Sequence, residues 1–155
     1  MLKDHLKEEL ILLNLDVSNR DELFKQVSDT YLEKGLVTES YYRCLSDRED
    51  NYPTGLEMGD YSVGIPHGEP EHVKESFVSI VTLVEPISIH KMENPEESVS
   101  VDVFFFLGLG DGGLHLNILR ETIGVIQEKS LIEKLKKASS AKDALALVKE
   151  VLSIA

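Results

Sequence analysis

The sequence has little cysteine, few basic residues and no long apolar run, and each of these features excludes a class of protein. Cys44 is the single cysteine, so an internal disulfide is excluded and a reducing compartment is expected. The longest apolar run, Val103 to Leu107, is far shorter than the ~20 residues that span a bilayer. The beginning of the sequence has no pattern of a secretory signal. We therefore expect a soluble cytoplasmic protein that is not inserted in a membrane.

The scarcity of basic residues limits the possible partners. Lys and Arg number 16 against 28 Asp and Glu, which gives a net charge of -12. Nucleic acids and anionic membranes both require a positive protein surface, so neither is expected as the main partner. The acidic surface is equally compatible with docking onto a basic patch of another protein and with a role in solubility alone.

The distribution of apolar residues predicts one domain, spanning 1–155, with a sheet between helices. A capping-box pattern with Ser18 as N-cap predicts the start of the first helix, and the last third of the chain reads as helical. Strands in the middle with helices before and after them predict a three-layer α/β/α sandwich with a central mixed sheet. The predicted strands cover residues 10–15, 61–65, 77–84 and 99–107.

The segment Gly64-Ile65-Pro66-His67-Gly68 is the most unusual local feature. Proline cannot donate to a sheet ladder, so Pro66 is predicted to end a strand or to lie at an edge. His67 then emerges at the end of the strand, and Gly68 leaves its flank open. We expect the imidazole to face solvent. A loop histidine without a chemical role is the alternative on these residues alone.

A second histidine, His115, follows the glycine-rich residues 108–113 and is predicted in the first turn of a helix. Free N–H groups and the helix dipole attract anions at such a position. The alternative is a packed histidine between Leu114 and Leu116.

The glycines in this stretch also raise the possibility of a dinucleotide site. Gly108, Gly110 and Gly113 have the G-x-G-x-x-G spacing between a strand and a helix. The fingerprint requires a further strand with an acidic residue about 20 positions on, whereas the sequence after Leu114 reads as helix. A Walker loop is excluded, since no Lys-Ser or Lys-Thr pair follows the glycines.

The remaining candidate groups are assigned to structure rather than to chemistry. No His, Cys or Glu spacing matches the common zinc sites, so no metal is expected. Cys44 is interpreted as a half-buried helix residue. The acidic pair of Glu49 and Asp50 is interpreted as solvated surface.

Taken together, several stretches resemble the enzyme IIA components of the fructose–mannitol group in the bacterial phosphoenolpyruvate:sugar phosphotransferase system. The resemblance covers nearly the whole chain, and the aromatic-Pro-Thr-Gly sequence at residues 52–55 is closest to the galactitol-type branch. It rests on Arg48-Glu49 followed by Thr54-Gly55, on Ile65-Pro66-His67-Gly68, and on Gly113-Leu114-His115-Leu116.

The resemblance implies a phosphotransferase that carries a phosphoryl group on His67 for sugar or polyol uptake. It implies that His115 and Arg48 hold the phosphoryl group and that Thr54 lies near the site. The implied donor is the phosphohistidine protein HPr, and the implied acceptor is a cysteine of enzyme IIB. No cofactor is required, since both donor and acceptor are protein nucleophiles.

Two other functions stay open at this point. A IIA-like regulator would use phosphorylation of His67 to control a transporter or a transcription factor. An unrelated ligand-binding module would not be phosphorylated at all. A IIB subunit is not expected, because its cysteine occupies a phosphate-cradling loop and Cys44 is predicted in a helix.

Overall fold

The computed structural model describes residues 2–110 and 112–154, with side chains described at 2–110 and 116–153. A 3₁₀ turn spans Pro70–His72. The strands are β1 (Leu6–Leu15), β2 (Gly55–Glu57), β3 (Ser62–Gly64), β4 (Phe77–His90) and β5 (Ser98–Gly108). The helices are α1 (Leu2–His5), α2 (Arg20–Glu33), α3 (Tyr41–Asn51), α4 (Gly112–Ile126), α5 (Lys129–Lys137) and α6 (Ala141–Ile154).

The described strands form one mixed sheet in the order β1-β4-β5-β3-β2. The β1–β4 and β3–β5 pairs are parallel, whereas the β4–β5 and β2–β3 pairs are antiparallel. Gly64 at the end of β3 pairs with Phe104, in the second half of β5. The chain that follows β3 is therefore delivered to the carboxyl end of β5.

Apolar side chains cover both faces of the sheet, and β5 shows why. Phe104 and Phe106 pack with the apolar side chains of α2 and α3. Phe105 and Leu107 point the other way and pack with those of α4, α5 and α6, because successive strand side chains alternate between faces. The predicted three-layer α/β/α sandwich with a central mixed sheet is confirmed.

The strands are longer than predicted in two places. β1 begins at Leu6, and β4 continues to His90. The apolar pattern of β4 is interrupted around Pro86, where its pairing with β5 is irregular between Thr82 and Ile87. Proline is tolerated within a strand at such irregularities, so it did not end β4.

The N-cap of α2 lies one residue later than predicted. The side chain of Asn19 accepts the Glu22 N–H at 2.9 Å. The backbone N–H of Ser18 instead donates to the Glu22 carboxylate at 2.6 Å. Among the helices of the described chain, none is both long enough and apolar enough to cross a membrane.

Candidate active site

His67 lies where the chain leaves the sheet beside the end of β5. It forms a parallel bridge with Leu107, and the Leu107 N–H donates to the Pro66 carbonyl at 3.0 Å. Proline contributes only its carbonyl here, so its missing N–H costs no ladder bond. The imidazole is 8% exposed. The expectation that it faces solvent is therefore wrong.

Gly68 allows the loop to approach α3 closely and does not leave an open flank. A Cβ atom at this position would lie 3.3 Å from Tyr41 Cε1 and 3.5 Å from Cys44 Sγ. The following residue, Glu69, donates its backbone N–H to the same sulfur at 3.2 Å. The loop after His67 is therefore packed against α3.

The His67 ring is oriented by a backbone carbonyl. Its Nδ1 lies 3.0 Å from the carbonyl oxygen of Ile65. A carbonyl oxygen only accepts, so Nδ1 must hold the hydrogen of the neutral ring. The lone pair of the neutral ring is then on Nε2.

Glu49 is a buried part of the site, and its interpretation as solvated surface is wrong. Its side chain in α3 is 4% exposed. Its two carboxylate oxygens accept the Thr54 hydroxyl at 2.7 Å and the Thr54 N–H at 2.8 Å. Burial raises the pKa of the Glu49 carboxyl, and the two hydrogen bonds from Thr54 oppose that rise.

Thr54 joins Glu49 to the strand end that precedes His67. Its side chain is 2% exposed, and its carbonyl accepts the Ile65 N–H at 3.2 Å. Because its hydroxyl proton is donated to Glu49, Thr54 supports the site through the backbone in this structure.

Arg48 occupies the side of α3 that faces the loop after His67. Its Nη1 lies 3.3 Å from a carboxylate oxygen of Glu69, and its guanidinium carbon lies 5.3 Å from the centre of the Tyr52 ring. Its Nε atom is buried and has no hydrogen-bond partner among the described residues. The guanidinium is therefore held between the Glu69 carboxylate and the Tyr52 ring.

A groove of about 330 Å³ runs along this side of α3. It brings together the guanidinium of Arg48 and polar groups from the loop after His67. Its lining consists of Ser40, Arg43, Cys44, Asp47, Arg48, Asn51, Tyr52, Glu69 and His72.

Cys44 is a half-buried residue of α3, as interpreted from the sequence. Burial raises the pKa of its thiol, which lowers the thiolate fraction at neutral pH. The bonding of its sulfur to the Glu69 N–H gives it a structural contact.

The side chain of His115 lies outside the described residues, so its approach to His67 stays a prediction. The backbone of α4 begins at Gly112, shortly after the end of β5. The start of this helix therefore follows directly from the strand end beside which His67 lies.

Gly108, the first glycine of the G-x-G-x-x-G spacing, has a packing explanation. A Cβ atom at Gly108 would lie 2.1 Å from Phe77 Cε1, so this position requires glycine for close packing. Within the described chain only helices follow β5, whereas a dinucleotide fold requires a further strand there. The described residues also contain no group of three or more His, Cys, Asp or Glu side chains placed to hold a metal ion.

The structure thus connects three of the predicted site residues through α3. Arg48 lies on α3, Thr54 is hydrogen-bonded to it, and the His67 loop packs on it. Glu49 and Glu69 were missed. The one sequence signal for Glu49 was its place beside Arg48 in the resembling motif, which does not show burial, and nothing in the sequence marks Glu69.

Comparisons with known proteins agree with this geometry. Residues 4–151 match the family described as "Phosphoenolpyruvate-dependent sugar phosphotransferase system, EIIA 2". The mannitol-specific phosphotransferase enzyme IIA component of Bacillus subtilis (strain 168) is 33% identical over 149 residues, which cover 94% of this chain and 97% of the relative. The galactitol-specific EIIA component of Escherichia coli (strain K12) is 25% identical over 117 residues, covering 76% of this chain and 77% of the relative.

Solved structures show the same fold. The structure of the complex of enzyme IIA(Mtl) and phosphorylated enzyme IIB(Mtl) from Escherichia coli matches with a TM-score of 0.75 at 19% identity, covering 94% of this chain and 99% of that chain. The fold is therefore that of a IIA domain. The chain belongs to the EIIA type 2 family of the phosphoenolpyruvate-dependent sugar phosphotransferase system, and it is a phosphotransferase of that system.

Proposed function

We propose that this chain accepts a phosphoryl group on Nε2 of His67 from phospho-HPr and passes it to a cysteine of an enzyme IIB. The observation that supports this best is the contact between His67 Nδ1 and the Ile65 carbonyl at 3.0 Å. It places the lone pair of the neutral ring on Nε2, which is the state a histidine nucleophile requires.

The bonds of the proposed relay balance without an added base. Nε2 forms a bond to phosphorus as the bond from phosphorus to the HPr histidine breaks, and that electron pair returns to the donor ring. A IIB thiolate then attacks the phosphorus, and the phosphorus–Nε2 bond breaks. The Nδ1–H stays on the ring in both steps, and the Ile65 carbonyl stabilises the positive charge that the ring gains while it holds the phosphoryl group.

Arg48 and His115 are proposed to hold the phosphoryl oxygens. In a loose phosphoryl-transfer transition state, the protein mainly has to position the reacting groups and neutralise the charge on the phosphoryl oxygens. The forked guanidinium of Arg48, a residue that lines the groove along α3, suits this role. For His115 the support is the resemblance and its place in the first turn of α4.

We further propose that the relay is cytoplasmic and serves uptake of a polyol. The two relatives are named for mannitol and for galactitol, and the match to the mannitol-specific component is the longer and the more identical. His67 does not contact the sugar in this relay, so the sugar taken up is expected to depend on the transporter that the partner IIB serves.

Reconstitution with phosphoenolpyruvate, enzyme I and HPr tests the proposal. We expect the intact mass to rise by one phosphoryl group, the group to be acid-labile, and peptide mapping to place it on His67. Omission of HPr is the control and should abolish the mass shift. No mass shift in the complete mixture would contradict the proposed carrier function.

Discharge to purified IIB proteins separates transport from regulation. We expect the phosphorylated chain to transfer its group to a mannitol-type or galactitol-type IIB, and the faster acceptor identifies the pathway. A stable phosphoprotein that discharges to neither IIB would favour the regulatory alternative.

A further inference from the structure

We propose that Glu49 is a positioning residue for His67, acting through Thr54 and Ile65. This inference rests on the proposed function of His67 as the phosphoryl acceptor. It concerns a buried carboxylate at the start of a series of hydrogen bonds that is linked through the backbones of Thr54 and Ile65 and ends on the imidazole.

The series begins on α3 and crosses to the strand end. The Glu49 carboxylate accepts the Thr54 hydroxyl at 2.7 Å and the Thr54 N–H at 2.8 Å. The Thr54 carbonyl accepts the Ile65 N–H at 3.2 Å. The Ile65 carbonyl then lies 3.0 Å from His67 Nδ1.

Each member of the series holds the next one in place. Glu49 fixes both the backbone and the side chain of Thr54, and the Thr54 and Ile65 peptides lie side by side at the open end of the β2–β3 pair, beyond the Gly55–Gly64 contact. The position of the Ile65 carbonyl therefore depends on Glu49. Since that carbonyl fixes which ring nitrogen is protonated, Glu49 controls how firmly the nucleophilic tautomer is held.

Burial explains why a carboxylate occupies this position. Glu49 is 4% exposed and Thr54 is 2% exposed, so an N–H and an O–H both need acceptors away from water. One carboxylate satisfies both donors at once, and charge-assisted hydrogen bonds are stronger than neutral ones.

Two substitutions of Glu49 separate its hydrogen bonding from its volume. Glu49→Met removes both acceptor oxygens and keeps an unbranched side chain. Glu49→Gln keeps an oxygen for the Thr54 N–H, and its amide can donate to the Thr54 hydroxyl. We expect the Met variant to loosen the His67 ring and the Gln variant to retain most of the wild-type behaviour.

The direct readout is the tautomer of the neutral His67 ring, measured from ¹⁵N shifts in a histidine-labelled protein. The wild type should show the Nδ1–H tautomer. Glu49→Met should show a mixture, because histidine in water favours the Nε2–H form. Phosphoryl uptake from phospho-HPr should fall in parallel, up to about 100-fold, since a small misplacement of reacting groups has effects of this size.

Thr54→Val is the second variant and covers the case in which Glu49→Met does not fold. It removes the hydroxyl bond and keeps the backbone bond to Glu49, so a smaller shift in the same direction is expected. Its matched control is Thr82→Val, which removes another buried threonine hydroxyl, one that accepts the Asn14 N–H at 2.8 Å. That control should lower the melting temperature and leave the His67 tautomer unchanged.

Two results would overturn the proposal. One is a folded Glu49→Met or Thr54→Val variant with the wild-type tautomer and transfer rate. The other is slower transfer with the wild-type tautomer, which would place the effect of Glu49 elsewhere. If wild-type His67 is not phosphorylated at all, the proposed function fails, while the tautomer measurement still decides whether Glu49 positions the ring.

Discussion

Replacing His67 with alanine removes the proposed phosphoryl acceptor from an almost fully buried position. We expect no labelled phosphate on His67→Ala after incubation with phosphoenolpyruvate, enzyme I and HPr. Because the ring is buried, the free energy of unfolding in urea should fall by about 1–2 kcal/mol. His90→Ala, an exposed histidine at the end of β4, is the control and should label normally. Normal labelling of His67→Ala would assign the phosphoryl group to another residue.

Arg48→Lys keeps the charge and removes the forked donor. An ammonium cannot reproduce two parallel contacts to phosphoryl oxygens, so we expect the barrier to transfer to rise by about 1–3 kcal/mol. Rapid-quench measurement of uptake from phospho-HPr tests this, with the exposed Arg120→Lys on α4 as control. Equal rates in both variants would mean that Arg48 serves only its contacts with Glu69 and Tyr52.

Single residues also show what the sequence could and could not reveal about the site. The positions of His67 and Arg48 followed from a motif, and a motif does not depend on burial. The burial of Glu49 could not be predicted from a single sequence, because charged residues are usually exposed. Its environment includes two hydrogen bonds from Thr54, which form only when the chain folds.

At the scale of secondary structure, the two neighbouring cap candidates of α2 offer a sharp comparison. Asn19→Ala removes the side chain that accepts the Glu22 N–H, and we expect a loss of about 1 kcal/mol in unfolding free energy. Ser18→Ala keeps the backbone N–H that Glu22 accepts and should change stability by less than about 0.5 kcal/mol. Urea denaturation of both variants decides which residue caps the helix; equal losses would contradict the assignment to Asn19.

The same scale shows why the elements were predicted unevenly. β5 has a long, regular apolar pattern and was predicted within a few residues of its ends, and the last third of the chain was predicted to be helical, as α4, α5 and α6 are. β2 was not among the predicted strands, because a strand of three residues beside Pro53 and Thr54 has no periodicity of its own. Its pairing with β3 arises only when the sheet assembles.

For the molecule as a whole, the buried carboxyl of Glu49 predicts a component in the pH dependence of stability. Its pKa is raised in the folded state by burial, with opposing contributions from Thr54 and Arg20 and a further rise from Asp50. The folded state therefore holds this proton more tightly than the unfolded state does. The stabilisation that comes from this tighter proton binding is fully present below pH 4.5, the ordinary pKa of a glutamate carboxyl. It is lost as pH rises through the raised pKa of the folded state.

Glu49→Gln tests this, since an amide resembles the protonated acid. We expect the unfolding free energy of the Gln variant, relative to that of the wild type, to increase as pH rises above 4.5. This difference should level off once Glu49 is ionised. Glu96→Gln at an exposed position controls for the change in net charge. A difference that stays constant over the whole pH range would contradict the raised pKa.

The acceptor that fixes the His67 ring is the main-chain carbonyl of Ile65, and this affects how the site can change over evolutionary time. Every amino acid has a main-chain carbonyl, so a substitution at position 65 changes the side chain and keeps the hydrogen-bond acceptor. Lineages can therefore alter the apolar contacts around this strand end while the nucleophile keeps its protonation pattern. Loss of that pattern requires displacement of the backbone itself, and single substitutions achieve such displacement far less often than they replace a side chain.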